Sequence, residues 1–69
     1  MLKLSKTIEY ALISINHINQ CDEDKPISVK KISNQYSIPF ELLAKILQKL
    51  SKTKILKAIH GPRGGYKLN

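Results

Sequence analysis

His60-Gly61-Pro62-Arg63-Gly64-Gly65-Tyr66 is the stretch that decides how this chain folds. Gly61, Pro62, Gly64 and Gly65 cannot continue a helix, and they supply the backbone angles of a tight, kinked connection. Ile55, Leu56, Lys57, Ala58 and Ile59 precede it, a β-branched and apolar run. Tyr66, Lys67 and Leu68 follow as the returning segment. Two short strands around a glycine-rich loop predict a hairpin over residues 55–68, with Arg63 presented at its tip.

Helical patterns lie upstream. Leu43, Ile46, Leu47 and Leu50 recur at i, i+3, i+4 and i+7, which predicts a helix over 39–52 with those four facing a core. Pro39 suits its first position, where a missing N–H leaves no bond unmade. Glu41, Lys45, Gln48 and Lys52 project the opposite way. Ser37-Ile38-Pro39 reads as a turn. A second helix over 29–36 is capped by Ser28, with Val29, Ile32 and Tyr36 inward and Lys30, Lys31 and Asn34 outward. Pro26-Ile27-Ser28 is extended and can supply an edge strand, and residues 20–25 form a polar, acidic loop.

The first helix covers 5–19, with Ser5 as its cap. Ile8, Ala11, Leu12, Ile15 and Ile18 are expected to form its core face. Tyr10, Ile13 and His17 fall on the other side, where they suggest a second packing partner. The order of helix, helix, turn, helix and hairpin predicts a mainly α fold with a small β-hairpin. This is a winged helix-turn-helix of three helices plus a wing, filling residues 1–69 as one domain.

Composition narrows the function. The chain has 69 residues, 12 Lys and Arg against 5 Asp and Glu, and a net charge of +7, which favours a polyanionic partner. Asp22, Glu23 and Asp24 are clustered, so the rest of the surface is nearly all lysine. Cys21 is the single cysteine, and no Cys or His cluster has ligand spacing, so neither a disulfide within the chain, a metal nor another cofactor is expected. Neither histidine has a carboxylate or nucleophile at a suggestive spacing, so no enzyme is expected. The N-terminus lacks a signal-peptide pattern, and no apolar stretch approaches the ~18–20 residues that span a bilayer, so a cytoplasmic protein is expected.

On this plan the helix over 39–52 is the recognition helix, with its N-terminal residues, Pro39 and Phe40 among them, near base edges in the major groove. Lysine can donate to guanine, glutamine can pair with adenine and glutamate can accept from cytosine, so Glu41, Lys45 and Gln48 have reading chemistry. A solvated face with a Glu41–Lys45 pair is the plain alternative. Ser5, Lys30, Lys31 and Lys49 are further candidates for DNA contact, and Lys52, Lys54, Lys57 and Lys67 add charge that neutralises phosphates without reading sequence. Arg63 suits a narrow minor groove, with His60 and Gly61 at the base of the hairpin beside it. No aromatic platform for RNA is evident.

These segments resemble the bacterial regulators that include the iron–sulfur cluster regulator IscR, the nitric-oxide-sensing repressor NsrR and the cysteine-metabolism repressor CymR. The matching residues are Lys3-Leu4-Ser5 with Tyr10-Ala11-Leu12, Ile38-Pro39 with the run from Leu43 to Leu50, and Gly61-Pro62-Arg63-Gly64-Gly65-Tyr66. The resemblance implies a winged-helix fold, dimeric operator binding and transcriptional control, with the recognition helix in the major groove and the wing arginine in the minor groove. The chain departs from that pattern at His60, where arginine is common, and at Lys54, where glycine is common. Regulators of this kind continue past the wing into a dimer-forming helix that carries cluster ligands in sensor members. This sequence stops at Asn69, so no cluster site carries over to Cys21, and Glu9 reads as a solvated helix-start acid. A homodimer is expected where that helix or a substitute is present, and the Tyr10, Ile13 and His17 stripe is expected to pack on it. The function expected is sequence-specific binding of double-stranded DNA by a transcription repressor. The alternative is a winged-helix protein-interaction module.

Overall fold

In a computed structural model, residues 5–21 and 25–69 are described. The acidic trio Asp22, Glu23 and Asp24 and the Lys3-Leu4 part of the first motif lie outside them. The elements run α1 (Lys6–Gln20), α2 (Val29–Tyr36), α3 (Phe40–Lys52), β1 (Leu56–Ile59) and β2 (Gly65–Leu68). This is the expected winged helix-turn-helix, with boundaries shifted by a residue or so at α1, α3 and the hairpin, and with Pro39 as the N-cap residue of α3 rather than its first helical residue.

Local chemistry explains where the helices start and stop. Ser5 caps α1 by accepting from the Ile8 amide, and Ser28 caps α2 by accepting from the Lys31 amide. Helix α2 ends at Ser37, whose φ of 55° is left-handed. The turn is then clasped from both sides. The Ile38 amide donates to the Ser33 carbonyl at 3.0 Å, and the buried Ser33 hydroxyl donates to the Ile38 carbonyl at 2.6 Å. Helix α3 ends in a Schellman arrangement, with Ile55 N–H bonded to the Leu50 carbonyl and Lys54 N–H to that of Ser51. That geometry requires Lys54 at φ 67°. A side chain there costs about 1 kcal/mol. Lys54→Gly is therefore expected to stabilise the chain by about that amount, read as a higher urea midpoint with unchanged m-value; a lower midpoint would contradict it.

Ile18, Ile27, Ile32, Ile38, Leu43, Leu47 and Leu56 form the buried cluster, with Tyr10, Ile13, Cys21, Val29, Leu50 and Tyr66 packed around it. The α3 stripe lies inward as its spacing predicts.

Helix α1 departs from the expected face, of which Ile18 is buried in the core while Ile8 and Leu12 are not. Tyr10 and Ile13 pack on the core, while Ser14 and His17 are buried outright. Ile8 and Leu12 are 48% and 54% exposed. Both stripes have helical spacing, and counting aliphatic carbons selects the wrong one. On the side the fold buries, the Ser14 hydroxyl and His17 Nδ1 have partners, while His17 Nε2 is buried without one among the described residues. The Ser14 hydroxyl donates to the Tyr10 carbonyl at 2.8 Å, and His17 Nδ1 shares a 2.8 Å hydrogen bond with the Tyr36 hydroxyl. The His17 and Tyr36 rings meet edge to face, 5.4 Å between centroids. The stripe of Tyr10, Ile13 and His17 is thus spent inside this domain, and the apolar face left open on α1 is that of Ile8 and Leu12.

β1 and β2 pair antiparallel, Leu56 opposite Leu68 and Ile59 opposite Gly65. The extended Ile27 joins them as a third rung. Its N–H donates to the Tyr66 carbonyl, and the Tyr66 N–H donates to the Ile27 carbonyl, both at 2.8 Å. The hairpin is thereby fastened to the entrance of α2.

Candidate nucleic-acid interface

Helix α3 is half embedded. Leu43, Ile46 and Leu47 are buried on one side, and Glu41, Lys45, Gln48 and Lys49 are exposed on the other. Among the described residues the ion pair is Lys6–Glu9, at 3.4 Å. Glu41 and Lys45 do not pair, so both head groups are available to a partner. Pro39 at the start of α3 makes no side-chain cap, which leaves the first amides of that helix open and its positive dipole end uncovered.

The wing tip is a turn closed by the Gly64 amide on the Gly61 carbonyl at 3.0 Å. Gly61 has φ 116°, an angle that L side chains rarely adopt. Gly64 sits so close to the Ile59 carbonyl that a Cβ would overlap it. Together they turn the chain sharply enough to leave Arg63 exposed at the tip.

Two shallow grooves meet here. One is lined by Ser28, Val29, Lys30, Phe40, Ile59, His60, Gly61, Gly64 and Gly65. It brings together four of the residues expected from sequence, Lys30, Phe40, His60 and Gly61, from α2, α3 and the wing. The second is lined by Lys25, Lys31 and Arg63, with Cys21, Pro26, Ile27, Ser28, Pro62 and Gly64. Ser28 and Gly64 belong to both, so the grooves run side by side across the α2 entrance. Ser5 stands apart from both groove linings, its hydroxyl engaged as the α1 cap. Lys25, Ser28 and Val29 were not expected as site residues. The extended Pro26-Ile27-Ser28 was their only signal, and it does not reveal that Ile27 pairs with Tyr66.

An arrangement of an uncapped helix start, an exposed row of Glu41, Lys45 and Gln48, and a cationic wing tip is that of a winged-helix regulator. A model of the Rrf2 family, described as an iron-dependent transcriptional regulator, matches residues 4–69. The chain belongs to the Rrf2 family. Among its relatives is a protein of Aquifex aeolicus assigned to the HTH-type transcriptional regulators, 36% identical over 64 residues, which are 93% of this chain and 44% of that protein. IscR of Vibrio campbellii is 27% identical over 67 residues, 97% of this chain and 40% of IscR. The solved structure of CymR, the global cysteine regulator of B. subtilis, superposes with a TM-score of 0.91 at 28% identity, over 99% of this chain and 53% of CymR. T. potens IscR gives 0.86 at 27% identity, over 97% of this chain and 49% of that chain. This Rrf2 chain thus spans about half the length of the relatives it matches.

The family description names iron. Among the described residues no three His, Cys, Asp or Glu lie close enough to hold a metal ion, so these residues do not fit an iron site. No described helix is long and apolar enough to cross a membrane.

Proposed function

We propose that residues 1–69 act as one sequence-specific DNA-binding unit of a transcription regulator, a binding module rather than an enzyme, working in the cytoplasm. The observation that carries this reading is the convergence of Lys30, Phe40, His60 and Gly61 on one groove, with Lys31 and Arg63 on the next. Under it, Glu41, Lys45 and Gln48 face base edges in the major groove. Lys30, Lys31 and Lys49 neutralise phosphates, as do the open amides that follow Pro39. Arg63 enters the minor groove beside Gly61 and His60. Ser5 orders the start of α1 by capping it, and any contact it makes with DNA is at a phosphate.

Repression is the outcome we favour, since a domain seated on an operator excludes other proteins from it. We also favour homodimeric binding, in which each copy reads one half-site. The open Ile8 and Leu12 face of α1 is available to a partner and supports that view. The same face is the observation behind the second reading, a protein-interaction module, for which capture of a partner would survive nuclease treatment.

Arg63→Ala tests the main reading. It is expected to weaken binding to AT-rich duplexes about tenfold, and less on GC-rich ones, because the narrow minor groove holds the stronger negative potential. An equal loss on both would remove the minor-groove role, and no binding to any duplex would remove the whole reading.

A further inference from the structure

We propose that Phe40 is a specificity-determining residue that reads the 5-methyl group of a thymine; this rests on the DNA-binding reading above. Phe40 is the chain's one phenylalanine and the first residue of α3. It is 52% exposed and takes no part in the core cluster, although the rest of its helix turns Leu43, Ile46 and Leu47 inward. A lone exposed apolar residue needs no explanation by itself. Its surroundings are what give it a use. The ring shares a groove with Lys30 from α2 and with His60 and Gly61 from the base of the wing. Lysine and imidazole suit phosphate oxygens, so a DNA strand held by them passes over the ring.

A phenyl ring can neither donate to nor accept from a base edge. The apolar feature that the major groove offers is the thymine methyl, and apolar side chains contact it there. Phe40 directly precedes Glu41, the first of the polar row, at the start of the same helix. Leu42, 37% exposed, is the other apolar side chain near this helix start and is the competitor for the role.

The test begins by selecting, from a pool of random duplexes, the sequences this chain retains. Thymines in the selected site are then replaced one at a time by deoxyuridine, which deletes only the methyl. Burial of one methyl predicts about a fourfold loss of affinity at one or more positions. Phe40→Ala, whose fold is checked by circular dichroism, is expected to bind the thymine site more weakly and to ignore the deoxyuridine change. Leu42→Ala is expected to keep the fourfold response. The proposal is overturned if deoxyuridine is neutral everywhere for the native chain, or if Phe40→Ala still responds. A pool from which nothing is enriched overturns the DNA-binding reading itself, which distinguishes the two failures.

Discussion

Gly65→Ala is expected to detach the wing and to lower stability by about 3 kcal/mol. A Cβ at Gly65 would overlap the carbonyl oxygen and carbon of Ile27 and crowd the Ser28 amide. These are backbone atoms, and they cannot step aside as the end of a flexible side chain can. Relief requires that the rung between Ile27 and Tyr66 open, with two 2.8 Å backbone bonds broken. Each such bond is worth about 1 kcal/mol net, and the packing of Tyr66 and Ile27 on the core loosens with them. A core of this size rarely supplies more than ~3–5 kcal/mol, so most of the stability is at stake. Gly61→Ala is the internal control. A Cβ there meets nothing within 4 Å, so only the strain of its φ of 116° remains, about 1 kcal/mol. Urea unfolding compares the two. A Gly65→Ala midpoint close to that of Gly61→Ala would refute the account.

The second large effect is on binding. Raising salt from 50 to 200 mM is expected to weaken association with duplex DNA about a thousandfold. Lys30, Lys31, Lys45, Lys49 and Arg63 belong to the proposed interface, and Lys57 and Lys67 lie on the wing strands. If about six of them meet phosphates, the slope of log K against log salt is about −5. The chain's +7 net charge makes the direction certain, but the slope counts contacts at the interface rather than total charge. Fluorescence anisotropy across a salt series measures it. A slope shallower than about −2 would mean that the lysines serve the surrounding solvent and not a phosphate backbone.

Most of the fold is legible from residue patterns. The four-residue stripe of α3 occurs once and has no competitor, and the glycines around Arg63 permit few structures besides a hairpin. Helix α1 is illegible for the opposite reason. Its Ile8–Leu12 and Tyr10–His17 faces are both apolar enough to bury, and the buried one carries a hydrogen bond between His17 and Tyr36, 19 residues apart, that no local pattern reveals. Ser14 and Ser33 escape notice because a buried serine looks like a surface one until its acceptor is known. At the site, the residue types of the recognition row and wing point to DNA, yet which of them share a groove depends on Ile27 reaching Tyr66. Nothing local to either position encodes that pairing.

The pairing of Ile27 with Tyr66 is made by main-chain groups alone. The distance between the α2 entrance and the wing is therefore set without reference to the side chains that reach outward from either. Phe40, Lys30, His60 and Arg63 can each be exchanged while the scaffold holds their places. Gly65, pressed against that rung, and Gly64, pressed against the Ile59 carbonyl, must stay as they are. A scaffold of this kind lets one set of letters be rewritten without redrawing the page, so new operator preferences are open to small numbers of substitutions in the outward-facing residues.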